Sequence, residues 1–218
     1  MYGNGITRSA ARDIRSVVGK VLLDLSNPEP PLRLEEVRHL LELDRTYYST
    51  DDHSLFRRAF HKMTIAGKLI VNRPGLIKDV VSKRKLRALW EPDARQILID
   101  KELPAPKKVW AEAHEIGHSL LDWHETFLHG DPKHTLSIAC HIEIEAEANF
   151  AAGQLLFLGD CFQNQWLDSK QTFADINRLK KVFNNSMTTT LWRAIECSPT
   201  ECFGLICQHP RYVKKDLP

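Results

Sequence analysis

The sequence lacks any long hydrophobic run. No apolar stretch approaches the roughly 20 residues that a transmembrane helix needs, and the first five residues contain none of the apolar segment that marks a signal peptide. These two absences predict a protein of the cytoplasm, with no membrane among its partners.

Cysteine is scarce, and charge of one sign is barely in excess. The five cysteines are an odd number, which favours reduced thiols over a disulfide framework. Cys197, Cys202 and Cys207 are evenly spaced and His209 follows, but Cys-x-x-Cys spacing is absent, so free thiols are favoured over a second metal site. The net charge of +2 is too small to indicate binding to nucleic acid.

What is present is the composition of an ordinary globular protein. Hydrophobic residues make up 43% of the 218 residues and charged residues 27%, enough for a substantial core. We expect one unit built from three segments: an N-terminal helical region (1–80), a central core (81–160), and a C-terminal helical lobe with a tail (161–218).

The apolar periodicity of the first half predicts helices followed by a β-hairpin. A loop is predicted around Tyr47 and Tyr48, and the alternating segments on either side of residues 91–94 are typical of a hairpin. The predicted helices cover residues 7–26, 34–43 and 53–70.

The most informative stretch is His-Glu-x-x-His at residues 114–118, within an apolar segment that reads as a helix. Histidines four residues apart on a helix point the same way from successive turns, so His114 and His118 can bind one Zn²⁺. Glu115 leans toward the open side of such a metal, where it can take a proton from a bound water.

A catalytic zinc normally has three protein ligands, and two segments compete to supply the third. The first candidate is His124, which has the right spacing if the helix breaks sharply, but Leu121 stands where a glycine would ease that break.

The second candidate segment is 141–152, which also reads as a helix. His141, Glu145 and Asn149 recur every four residues and share one face. Glu145 is the favoured ligand, Asn149 can orient a zinc histidine, and Glu147 and His141 are the main rivals. Glu147 otherwise reads as part of a solvated edge.

Two motifs in this sequence resemble those of the ImmA/IrrE family of zinc metallopeptidases. They are AHEIGHSLL at residues 113–121 and EAEANFAAGQLL at residues 145–156. The resemblance implies an α+β fold, mostly helical, with a small antiparallel sheet packed beside the HExxH helix in a gluzincin-like core. It also implies Zn²⁺ as cofactor, His114, His118 and Glu145 as its ligands, and Glu115 as the catalytic residue.

The same resemblance implies an activity and a partner. Members of the family are zinc-dependent endopeptidases that cleave helix-turn-helix transcriptional repressors and so relieve repression. We therefore expect an enzyme whose partner is a DNA-binding repressor, acting in a stress response or in phage or mobile-element regulation.

The rival hypothesis is a non-catalytic zinc protein that binds DNA or belongs to a toxin–antitoxin pair. Two short helices predicted at 173–183 and 187–195 have helix-turn-helix spacing, but Arg193 is the only cation of the second. A packing lobe is therefore favoured over DNA reading.

The residue that stabilises the oxyanion or protonates the leaving amine is left open. The candidates are Tyr47, Tyr48, His124, His129 and His134.

Overall fold

The computed structural model describes residues 5–49, 88–124 and 138–204. They form an α+β fold, mostly helical, with one small sheet beside the HExxH helix, as expected. The helices are α1 (Arg8–Asp24), α2 (Leu34–Leu40), α3 (Ala105–Leu120), α4 (Ile138–Leu156), α5 (Cys161–Leu167), α6 (Phe173–Val182) and α7 (Met187–Glu196); the strands are β1 (Asp44–Tyr48), β2 (Ala88–Glu91) and β3 (Gln96–Asp100).

The sheet is mixed rather than purely antiparallel. Its strand order is β1-β3-β2, with β2 antiparallel to β3, as the predicted hairpin requires, and β1 parallel to β3. The prediction of a loop at Tyr47 and Tyr48 is therefore wrong, because both residues belong to β1 and pair with Ile99 and Asp100. The partner strand lies about fifty residues away in sequence, beyond the reach of local pattern.

The hairpin turn is closed by a residue in the left-handed region. Arg95 has a φ of +47° and donates its backbone N–H to the Pro92 carbonyl at 2.9 Å. Its guanidinium donates to the carbonyls of Leu41 and Glu42. The turn is thereby attached to the end of α2, which fixes the hairpin relative to the N-terminal helices.

The N-terminal helices follow the predicted apolar pattern. Thr7 caps α1 by accepting a bond from the Ala10 N–H at 3.1 Å, and Ile14 and Val18 are buried along the inner face. The second helix ends at Leu40, three residues earlier than predicted. The helix predicted at 53–70 lies outside the described residues.

One hydrophobic cluster includes side chains from all three predicted segments. Three aromatic rings join α4, α5 and the end of α6: the Phe157 centroid lies 4.8 Å from that of Phe162 and 5.7 Å from that of Phe183. Such tilted and edge-to-face pairs add to the burial of the rings themselves. No helix within the described ranges has both the length and the apolarity needed to cross a membrane.

The two predicted C-terminal helices are present as α6 and α7. Arg193 is buried, and its guanidinium donates to the Gly159 carbonyl at 3.0 Å and pairs with Glu196 at 3.3 Å. Because the only cation of α7 is tied to the end of α4 and to its own helix, the contacts favour the packing role predicted for this lobe.

An ion-pair cluster that the sequence reading missed connects the HExxH helix to the N-terminal region. Glu112 lies on α3, and its carboxylate accepts from Arg38 of α2 at 2.6 Å and from Arg45 of β1 at 2.7 Å. The Glu112 side chain is 5% exposed. A carboxylate this buried is tolerated because both oxygens are paired.

Replacing Glu112 with Gln should lower the free energy of unfolding by about 3 kcal/mol, since two guanidinium groups would lose a buried partner. Urea denaturation measures the loss. Glu36→Gln is the matched control, because the Arg33–Glu36 pair is exposed and should contribute less than about 1 kcal/mol. Equal effects of the two changes would contradict the structural role assigned to Glu112.

Candidate metal centre

The site forms where α3 and α4 approach each other closely. The point of closest approach is Gly117, whose ideal Cβ would lie 2.8 Å from the Ala148 carbonyl oxygen and 3.2 Å from the Ala151 Cβ. A side chain at 117 would therefore collide with backbone. The absence of one at 117, together with alanines at 148 and 151, allows the helices to pack backbone against backbone.

This packing brings the three predicted metal ligands together. His114 Nε2 and His118 Nε2 are 3.1 Å apart. Glu145 of α4 places one carboxylate oxygen 3.3 Å from His114 Nε2 and the other 3.6 Å from His118 Nε2. The group can hold a metal ion and is the only such group of three or more ligands among the described residues.

The two imidazoles are oriented by different neighbours. Asn149, one turn beyond Glu145, places its Oδ1 3.0 Å from His114 Nδ1, which is the orienting contact predicted from the sequence. An amide oxygen only accepts, so His114 Nδ1 carries the hydrogen and, in the neutral ring, Nε2 keeps its lone pair. His118 Nδ1 lies 3.0 Å from His124 Nδ1.

These contacts exclude two rivals for the third ligand position. The chain leaves α3 at Leu121 with φ −106° and ψ 93°, so it turns without a glycine. His124 returns behind His118, on the Nδ1 side and away from Glu145. Glu147 accepts from His124 at 3.0 Å and from the Trp123 indole at 2.7 Å, so it is not part of a solvated edge.

Other predicted candidates stay predictions. The side chain of His141, together with His129, His134, Cys207 and His209, lies outside the described residues. Cys197 and Cys202 have free thiols. Tyr47 is half exposed, with the Lys108 ammonium 5.4 Å from its ring centroid, and Tyr48 is buried; both belong to β1.

The electrostatics of the group favour one added positive charge. Burial would raise the pKa of Glu145, but its contacts with the two histidines hold that pKa far below its usual range. Burial would lower the pKa of His114, yet contacts with Glu145 and Glu115 raise it. Burial and the neighbouring His114 charge lower the pKa of His118 to about 4. A proton on His114 or a metal cation can supply the charge.

Glu115 has the properties of a poised base. Its side chain is buried, and burial, followed by repulsion from Glu145, raises its pKa to about 7, against the attraction of His114 and a bond from the Trp90 backbone N–H. A base is most useful when its pKa lies near the working pH. The contact with Trp90 also joins Glu115 to strand β2.

A cavity of about 610 Å³ borders the metal group. Its lining includes Glu145 and Asn149 together with aromatic side chains such as Trp110, Phe150 and Trp192. Its volume is within the range of sites that bind small ligands or substrate side chains.

Comparison with known proteins does not identify the family. No protein-family model matches the chain, and no curated protein is significantly similar to it. Membership of the ImmA/IrrE family therefore stays a prediction from the two motifs.

Replacing Gly117 with Ala should separate α4 from α3 and weaken metal binding, because the new methyl group meets backbone. We expect a net loss of about 1–2 kcal/mol in unfolding free energy, since the clash exceeds the gain in helix propensity. Calorimetry and zinc titration measure the two effects.

The matched control is Gly19→Ala in α1, where an added Cβ meets nothing within 4 Å. This change should stabilise the protein by up to about 1 kcal/mol. Stabilisation by both changes would show that α3 and α4 do not need the glycine.

Replacing Glu145 with Ala should reduce affinity for divalent metal by more than about 100-fold, because a ligand contributes more than its outer hydrogen-bond partners do. Elemental analysis after dialysis against limiting zinc gives the stoichiometry. Glu143→Ala, an exposed position on the same helix, should retain one ion per chain. Full metal content in the Glu145 variant would place the third ligand elsewhere.

Proposed function

We propose that this chain is a zinc-dependent endopeptidase. The observation that carries the proposal is the juxtaposition of His114, His118 and Glu145 with the buried carboxylate of Glu115. The sequence predicts the same four residues, and the identity of the metal and the reaction are proposed here.

The spacing of the ligand atoms supports zinc. Tetrahedral ligands about 2.0–2.1 Å from Zn²⁺ lie about 3.3 Å from one another. The two imidazole nitrogens are 3.1 Å apart, and they lie 3.3 and 3.6 Å from different oxygens of Glu145, so one donor atom from each residue lies within 4.8 Å of the others. Two imidazoles and one carboxylate also form the donor set found in catalytic zinc sites that leave a position for water.

The composition of the group favours a catalytic ion over a structural one. Structural zinc sites are closed by four ligands and are usually rich in cysteine. The three ligands described here include no thiolate, and a buried glutamate adjoins the first histidine. A structural ion has no use for that glutamate, whereas a hydrolase needs a base beside the attacking water.

Zinc, when bound, would polarise the substrate carbonyl and acidify an attacking water. Glu115 takes the proton of that water and delivers it to the leaving amide nitrogen. The backbone N–H of Trp90 favours the ionised form of Glu115 and so lowers its pKa. Asn149 keeps His114 in the tautomer that directs Nε2 to the metal.

Strand β2 and the aromatic cavity give room for a peptide. Within the described sheet, β2 is an edge strand that contacts α3. A substrate in extended conformation can add to an exposed edge through backbone hydrogen bonds. A neighbouring side chain of that peptide can then enter the cavity bordered by Glu145.

The proposed substrate is a helix-turn-helix transcriptional repressor, cut in the cytoplasm to relieve repression. Resemblance to the ImmA/IrrE motifs supports this part of the proposal. The alternative, a non-catalytic zinc protein that binds DNA, is less well supported because Arg193 is engaged within the lobe.

Replacing Glu115 with Gln should leave zinc content unchanged and reduce cleavage by about 10²–10⁴-fold, because proton transfer is lost while the ligands remain. The assay incubates zinc-loaded protein with a repressor encoded beside its gene and with an unstructured reporter peptide, and follows the products by mass spectrometry. Glu143→Gln is the matched control and should cleave normally.

The two substrates separate the parts of the proposal. If the peptide is cleaved and the repressor is not, the proposed partner is contradicted but the endopeptidase activity is supported. Equal cleavage by wild type and the Glu115 variant would contradict the role of Glu115. Zinc-loaded wild type that cleaves neither substrate would count against the endopeptidase.

A further inference from the structure

A chain of hydrogen-bonded side chains runs from the metal ligand His118 through His124 to Glu147. Glu147 Oε2 is 3.0 Å from His124 Nε2, and His124 Nδ1 is 3.0 Å from His118 Nδ1. His124 is fully buried, and the Glu147 side chain is 17% exposed. Neither residue belongs to the metal group or to the proposed proton transfer.

The direction of each hydrogen bond follows from the chemistry of the carboxylate end. An ionised carboxylate only accepts, and Glu147 Oε2 already accepts from the Trp123 indole at 2.7 Å, so His124 Nε2 must donate. In the neutral ring, His124 Nδ1 is then an acceptor. Two ring nitrogens can share only one hydrogen, so His118 Nδ1 is the donor.

With its hydrogen on Nδ1, neutral His118 carries no hydrogen on Nε2. Nε2 of the neutral ring points its lone pair toward His114 and Glu145, where a cation would be bound. The reverse tautomer would direct an N–H into the same space and exclude a metal. Asn149 alone sets the same tautomer in His114. The tautomer of His118 depends on two hydrogen bonds, through His124 to the Glu147 carboxylate.

We propose that Glu147, acting through His124, is a positioning residue that fixes the tautomer and orientation of His118 and thereby sets the affinity for the metal. The proposal rests on the metal site of the proposed function but not on the peptidase activity. Outer partners of metal-binding histidines typically change metal affinity by about 10–100-fold.

Zinc affinity of the full-length chain, measured by competition with a chromophoric chelator, tests the proposal. His124→Phe keeps a ring of similar shape but removes the acceptor, and should weaken zinc binding about 10–100-fold. His124→Gln should restore most of the affinity, because its amide can accept from His118 and donate to Glu147. Glu147→Ala should weaken binding in the same range.

Trp123→Phe is the matched control, because it removes a donor to the same carboxylate while leaving the chain from Glu147 to His118 intact. It should bind zinc like the wild type. Folding of every variant is checked by circular dichroism. Wild-type affinity in folded His124→Phe, or a loss in Trp123→Phe equal to that in Glu147→Ala, would overturn the proposal.

A second measurement needs no variant and no metal. A long-range ¹H–¹⁵N spectrum of the metal-free wild type should show the hydrogen on Nδ1 of His118 and on Nε2 of His124. The opposite assignment for His118 would overturn the proposal even if His124→Phe fails to fold. If the wild type shows this hydrogen pattern but does not bind zinc, the result would contradict the zinc site of the proposed function.

Discussion

The close approach of α3 and α4 at Gly117 is the constraint on which the site depends. The ligands come from both helices, and the distances between their donor atoms are set by how near the helix axes lie. The lack of a side chain at Gly117, opposite the Ala148 carbonyl and the Ala151 methyl group, permits that separation. Protein interiors pack densely and deform little, so the distance between the two helix axes is closely defined. The metal group is therefore a product of main-chain packing as much as of the residues that compose it.

Three carboxylates near the site each face a different set of neighbouring groups. Glu112 faces the N-terminal region and fastens α2 and β1 to the HExxH helix through two arginines. Glu145 faces the two imidazole nitrogens, and Glu147 faces His124 and Trp123. Glu112 and Glu147 each have their own hydrogen-bond donors, as burial requires, whereas Glu145 faces the space that a cation would occupy. Three acidic residues close together in space thus have three different tasks.

Much of the fold and the core of the site could be predicted from the sequence, because local periodicity reports on helices. The spacing of His114 and His118 and the four-residue repeat through Glu145 and Asn149 are properties of single helices. The end of strand β1, Tyr47 and Tyr48, is predicted as a loop because the partner strand is distant in sequence. Glu147 was assigned to a solvated edge because helix phase turns it away from Glu145. Its actual neighbour, His124, follows a break whose direction is set by tertiary packing.

The hairpin turn at Arg95 has a consequence for how the protein can vary. The backbone N–H of Trp90 lowers the pKa of Glu115, and the position of Trp90 along β2 is set by its pairing with Ile97 across the turn. Because side chains alternate between faces, a shift of one residue would turn Trp90 over and exchange the groups that face α3. Insertions and deletions in this turn should therefore be selected against, although the turn lies on the surface.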